Sequence, residues 1–206
     1  MENKQRTLIK LIFTGIAILA IPFFVFAYDA IYTHPGLTQE IGLFYNLTIG
    51  SENKLSQQEI NWMAKGAVNE DITPRWLNHY YNPETGQGLK GENLGWIPDV
   101  ITEKGISVFV STKEPVSSKN WARNQALQQS YVLYGGNHTW QKALFEYAKE
   151  NKKDAFISLG NLLHLIEDAS VPDHTRSDSH ADIAGTGDKG SPYEIWGEKT
   201  MPRELI

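Results

Sequence analysis

The stretch from Asp154 to His180, DAFISLGNLLHLIEDASVPDHTRSDSH, holds the densest chemistry in the chain. His164 and Asp168 are four residues apart. On a helix such residues are surface neighbours, so the spacing can bring an imidazole and a carboxylate to one divalent cation. His174, Asp178 and His180 follow, which puts three histidines and several carboxylates within seventeen residues. A lone histidine on an apolar helix is ordinarily hydrogen-bonded core, and a polar loop ordinarily turns its charges to solvent. The clustering argues for more than that. Of six histidines, five (His34, His79, His164, His174 and His180) stand beside acidic, proline or aromatic motif residues. His138, in GGNHTW, is expected in a solvated turn.

The candidate ligands are all nitrogen and oxygen, because the chain has no cysteine. That excludes disulfides, thiolate metal sites and a cysteine nucleophile, and it favours zinc, with manganese or iron as alternatives. Five histidines with Asp71, Asp168 and Glu194 exceed the donors that one tetrahedral ion takes, so a multinuclear centre is expected. Paired metals suit phosphoester hydrolysis, since together they activate water and neutralise the attacking and leaving oxygens. No Ser-His-Asp order, phosphate loop or dinucleotide fingerprint competes with this chemistry.

The elements that must position these groups are helical. Ala155, Phe156, Leu159, Leu162, Leu163 and Ile166 recur at three- and four-residue steps, predicting a helix from Asp154 as N-cap to Val171, stopped by Pro172. His34 opens another helix in YDAIYTHPGLTQEIGLFYN. Ser56-Gln57-Gln58-Glu59 is a capping box launching a helix through Ile60, Met63 and Ala67. Asp71 and His79 flank a break at Pro74, and Tyr80 to Gly88 reads as a loop or hairpin. Residues 90 to 118 read as an irregular link. From Lys119 to Glu150 the pattern is helical again around a Gly135-Gly136 break, with the aromatics Trp121, Tyr131, Trp140, Phe145 and Tyr147 expected in the core. Glu194 begins a last helix that Ile206 would cut short, so a truncated C-terminus is expected.

Lys4, Arg6 and Lys10 precede the uncharged run Leu11 to Ala27, the pattern of a signal peptide, with an uncleaved anchor as the alternative. Residues 1–27 are therefore assigned to targeting and 28–206 to one domain, and a secreted or cell-envelope protein is expected. The leader's charge of +2 leaves −7 on the mature chain out of −5 for the whole. An acidic chain is a poor general nucleic-acid binder, which argues against a stable nucleic-acid partner.

Taken in order, THPGLT at His34, GAVNED ending at Asp71, NHYYNP at His79, LHLIEDASVPDH, and SPYE at Glu194 resemble the bacterial zinc-dependent phospholipase C family. That family includes the catalytic domain of clostridial alpha-toxin and shares its fold with the fungal single-strand-specific zinc nucleases. The resemblance covers about Tyr28 to Glu198 and implies an all-α helical bundle. It implies two or three zinc ions: one held by Asp71, His79, His164 and Asp168, and a second bridged by Asp168 and bound by His34 and the mature N-terminal residue. Cleavage after Ala27 would make that residue Tyr28, where the family usually has tryptophan. A third ion would use His174 and Glu194, with His180 standing in for a family histidine whose place is taken by Gly190.

The activity implied is hydrolysis of phosphatidylcholine-type lipids at a membrane surface, by a monomer, to diacylglycerol and a phosphorylated head group. Hydroxide generated at the metals would attack phosphorus, with Asp71 orienting or deprotonating the water. Two alternatives remain: a single-strand nuclease or nucleotidase on the same scaffold, for which Trp76, Tyr80 and Tyr81 could stack bases, and a zinc-binding exoprotein without turnover.

Overall fold

Ser56 shows how closely the local sequence sets the architecture. Its hydroxyl accepts from the Glu59 amide at 3.3 Å while the Glu59 carboxylate accepts from the Ser56 amide at 2.7 Å, the reciprocal bonds of a capping box. The computed structural model describes residues 32–72, 75–89 and 115–176, together with Pro192 and Trp196 as single helical positions. The architecture is all-α, with no strand among the described residues. In order come α1 (Thr33–Thr48), α2 (Gln57–Glu70), α3 (Ser118–Trp121), α4 (Gln125–Gln129), α5 (Trp140–Ala148), α6 (Lys152–Asp168) and α7 (Pro172–Arg176), with short 3₁₀ turns at Ser51–Asn53, Arg75–Asn78 and Val132–Tyr134.

The broadest packing is between α2 and α6, with α1 against α2 and α5 against α6. Ile60 and Met63 of α2 meet Phe156 of α6 in one core cluster. Trp121, Leu127, Tyr131 and Leu165 form a second. Two glycines allow α2 and α6 to touch backbone to backbone: a Cβ on Gly160 would lie 2.7 Å from the Met63 carbonyl carbon and 2.9 Å from the Gly66 Cα. Helix α1 is anchored by its first half, where Thr33, His34, Pro35, Gly36, Thr38 and Gly42 are buried. Pro35 is tolerated there because a first-turn amide has no intrahelical partner to lose.

Several expectations need correction. Helix α6 starts at Lys152 with Asn151 as N-cap, and Asp154 sits inside the first turn, accepting from the Asn151 side chain at 2.8 Å. The helix ends at Asp168, before Val171, and Pro172 opens α7 instead of only stopping α6. Ile166 is 66 % exposed, whereas Asn161, His164, Glu167 and Asp168 are buried. The inward face of α6 is thus partly polar, which hydrophobic periodicity cannot register. Trp140, Leu144, Phe145 and Tyr147 are half exposed, because α5 turns the small and polar Ala143 and Glu146 inward. Trp121 and Tyr131 are core as expected. His138 is half-buried, its ring 3.1 Å from the Ser158 hydroxyl and its amide bonded to Gln128, so the turn is not a solvated one.

The leader, the link at 90–114 and the C-terminal helix at Glu194 lie outside the described residues. Among the described residues no helix is long and apolar enough to cross a membrane.

Candidate metal centre

Six of the sequence-derived candidates converge where α1, α2, α6 and α7 meet. His34 comes from the first turn of α1, Asp71 caps the end of α2, and His79 follows the 3₁₀ turn. His164 and Asp168 share a face of α6, and His174 lies on α7. The side chains of His34, His79, His164, Asp168 and His174 are at most 1 % exposed, and that of Asp71 is 8 % exposed. Tyr28, His180 and Glu194 lie outside the described residues.

Asp168 is the hub. Its Oδ2 lies 2.8 Å from His79 Nδ1, 3.2 Å from His164 Nε2 and 3.4 Å from His174 Nδ1, and its Oδ1 lies 3.3 Å from His34 Nε2. His164 Nε2 is 3.2 Å from His79 Nδ1 and 3.5 Å from Asp71 Oδ1, which is itself 3.8 Å from His79 Nδ1. A tetrahedral zinc with bonds near 2.1 Å spaces its donors about 3.4 Å apart. The separations of His79 Nδ1 and His164 Nε2 from each other, from Asp168 Oδ2 and from Asp71 Oδ1 bracket that edge. Two overlapping groups, His79 with His164 and Asp168, and His34 with Asp71 and His164, have donor atoms close enough for one ion each.

The polar inventory also fits a cation. Both Asp168 oxygens, Asp71 Oδ2, His79 Nε2 and His164 Nδ1 are buried without a well-formed hydrogen bond. A carboxylate so placed is expensive unless positive charge compensates it. The rings are crowded as well: His34 stacks on His164 with centroids 3.7 Å apart, His79 meets His164 edge-on at 4.6 Å, and Tyr80 stacks on His174 at 4.7 Å.

The charges are mutually adjusted. Burial alone would lower the His34 pKa, but its close contacts with Asp168 and Glu167 and the charges of Asp168 and Asp71 outweigh it and raise it to about 10. His79 is likewise raised to about 9, burial being outweighed by Asp168, Glu70 and Asp71. Burial would raise Asp168, yet the charges of His174, His164 and His79 hold it well below the usual carboxylate range. Asp71 is raised, by burial first and by the Asp168 charge, against the lowering pull of the histidines. The pair of aspartates is therefore split, one firmly ionised and one readier to take a proton.

Behind the ligands stands a shell that sequence reasoning missed. Glu70 accepts from Arg75 Nη2 at 2.6 Å, from Arg75 Nε at 3.1 Å and from Trp121 Nε1 at 2.5 Å, and lies 3.7 Å from His79 Nε2. Burial would raise Glu70, but the Arg75 charge and His79 hold it at about 2. Arg75, wholly buried, also donates to the Gly136 carbonyl at 2.8 Å and lies over the Trp121 ring. Glu167 accepts from His34 Nδ1 at 2.7 Å and from the Thr38 hydroxyl at 2.8 Å. The available signal was a repeated dipeptide: Glu70-Asp71 and Glu167-Asp168 each place a glutamate immediately before a candidate ligand.

Fold and site together define an all-helical protein with a buried histidine–aspartate cluster able to hold a metal ion. Comparison with protein-family models, with curated proteins and with solved structures returned no match.

Proposed function

We propose that the protein is an exported, zinc-dependent phosphodiesterase of the phospholipase C type, hydrolysing phosphatidylcholine-type lipids to diacylglycerol and a phosphorylated head group. The observation that carries the reading is the close approach of His79 and His164 to each other and to both Asp168 and Asp71, residues drawn from three separate motifs of the resemblance. Those four residues would hold one ion. His34, whose Nε2 lies 3.3 Å from Asp168, would hold a neighbouring one together with that aspartate. Bound zinc would supply a lowered pKa for water and positive charge against the phosphate.

The remaining work falls to the chain. Asp71 has the most exposed side chain of the six and a raised pKa, so it is the group suited to orient the attacking water and accept its proton. Asp168 stays ionised and keeps the histidines in register. His174, stacked on Tyr80, adds a nitrogen to the same centre. Of the three candidate stacking rings, Trp76 at 7 % exposure and Tyr80 at 2 % offer no face to a base, which leaves only the half-buried Tyr81 for the nuclease alternative.

The test is zinc content by elemental analysis, together with diacylglycerol release from phosphatidylcholine vesicles and cleavage of single-stranded DNA, for the wild type and Asp71→Asn. Lipid hydrolysis by a zinc-loaded protein, lowered at least a hundredfold in the variant, is expected. Cleavage of DNA alone would move the protein to the nuclease class, and tightly held zinc with neither activity would make it a metal-binding protein without turnover.

A further inference from the structure

Each of the two aspartates at the centre is preceded by a glutamate, and the two glutamates are used differently. Successive residues on a helix point about 100° apart, so Asp168 and Glu167 reach the His34 ring from different sides, at Nε2 and Nδ1 respectively. Asp168 faces the histidine cluster, and Glu167 faces α1. There its two oxygens are divided between His34 Nδ1 at 2.7 Å and the Thr38 hydroxyl at 2.8 Å. His34 and Thr38 are one helical turn apart, so a single carboxylate holds both ends of the first full turn of α1. Its side chain is 4 % exposed, and among the described residues no lysine or arginine pairs with it. Glu70 differs, since its oxygens are taken by Arg75 and Trp121, and His79 at 3.7 Å is beyond hydrogen-bond reach.

We propose that Glu167 is the positioning residue for His34: it accepts the Nδ1 proton, fixes that tautomer and ring orientation, and thereby presents Nε2 as the metal-binding atom beside Asp168. This rests on the metal-centre reading above. A carboxylate behind a ligating imidazole makes the imidazole a stronger donor, and removing such partners lowers metal affinity about 10- to 100-fold. Thr38 plays the supporting part. By donating to Oε1 it leaves Oε2 for His34 and keeps the carboxylate from rotating.

The experiment is a zinc titration of the metal-stripped full chain against a chromogenic chelator, with the Co2+ absorption spectrum as a second readout. His34→Ala identifies the binding step that belongs to His34. Glu167→Gln, of nearly the same shape, should weaken that step about tenfold and perturb the Co2+ spectrum, and Glu167→Ala should weaken it further, toward a hundredfold. In a His34→Ala background Glu167→Gln should have no additional effect on zinc, which separates action through His34 from a general loss of structure. Equal zinc affinity in wild type and Glu167→Gln would overturn the proposal, as would a His34→Ala chain that binds all its zinc unchanged. A wild-type chain that binds no zinc at any step would instead sink the metal-centre reading itself.

Discussion

Gly160→Ala is the sharpest probe of how the bundle builds its site. The added methyl would lie 2.7 Å from the Met63 carbonyl carbon and 2.9 Å from the Gly66 Cα. Carbon atoms at rest stand about 3.5–4.0 Å apart, so the helices must separate by roughly 1 Å. The clashing atoms are backbone and cannot rotate aside. Two effects oppose each other. Alanine improves helix propensity by about 1 kcal/mol over glycine, while overpacking costs about 1–3 kcal/mol and sometimes more. With backbone on both sides the upper end applies, leaving a net loss of about 2 kcal/mol. For an m-value near 2 kcal/mol/M the urea midpoint should fall by about 1 M. Zinc affinity should fall with it, because Asp71 ends α2 while His164 rides on α6, and an opening of roughly 1 Å stretches their 3.5 Å approach past the edge of a tetrahedral zinc site. Gly50→Ala is the control: nothing lies within 4 Å of its added carbon, and its stability should stay within about 0.5 kcal/mol. A Gly160→Ala midpoint equal to or above wild type would refute the close crossing.

Three other outcomes are expected. Ser56→Ala removes the acceptor for the Glu59 amide and should cost about 1 kcal/mol in urea unfolding. Glu70 is held at about 2 against an ordinary 4.5. A depressed carboxylate contributes its stability fully above the unfolded pKa and loses it as pH falls through the folded one, so roughly 3 kcal/mol should disappear between pH 4.5 and 2. Urea curves stepped through that range check it, and an Arg75→Met chain, lacking the principal stabilising charge, should show a shallower dependence. Finally, zinc at about a hundred times its dissociation constant should stabilise the stripped protein by about 2.7 kcal/mol, read as a melting temperature higher by roughly 5–10 °C. Asp168→Asn, which removes the hub carboxylate, should abolish that rise.

The legible part of this chain was what local chemistry writes down. The capping box at Ser56 and the His164–Asp168 pair each depend on residues within one helical turn, and both are found where the spacing put them. His34, Asp71 and His79 were legible as candidates, but their approach to α6 depends on a helix crossing set by Gly66 and Gly160, and glycine carries no periodic signal. Hydrophobic spacing misled where the inward face was polar or small. It put Ile166 inside and left out Asn161 and Glu167 on α6, and it credited α5 with aromatics that face outward. Arg75 and Glu70 belong to no motif that singles them out in the sequence. Only the fold shows them as a buried ion pair beneath His79.

The arrangement ties the centre to the fold more closely than a surface site would be tied. Asp168 closes α6, Asp71 closes α2, and His34 opens α1, so three helix ends meet at one cluster of buried charge. Without compensation that cluster sets four imidazole rings against two carboxylates with several polar atoms unsatisfied, at the place where an ordinary bundle would put leucine. Glu70 with Arg75 and Glu167 with Thr38 stiffen its two flanks, while both Asp168 oxygens in its middle lack a well-formed hydrogen bond. A cation bound there would therefore stabilise helix packing as well as bring chemistry. Zinc removal should then loosen the α1–α2–α6 junction first, while the Trp121 cluster, which contains only Leu165 from α6, keeps more of its packing. Hydrogen exchange on the stripped protein would show this as faster exchange at Thr38, Ala67 and His164 than at Tyr131, and uniform acceleration across both clusters would contradict it.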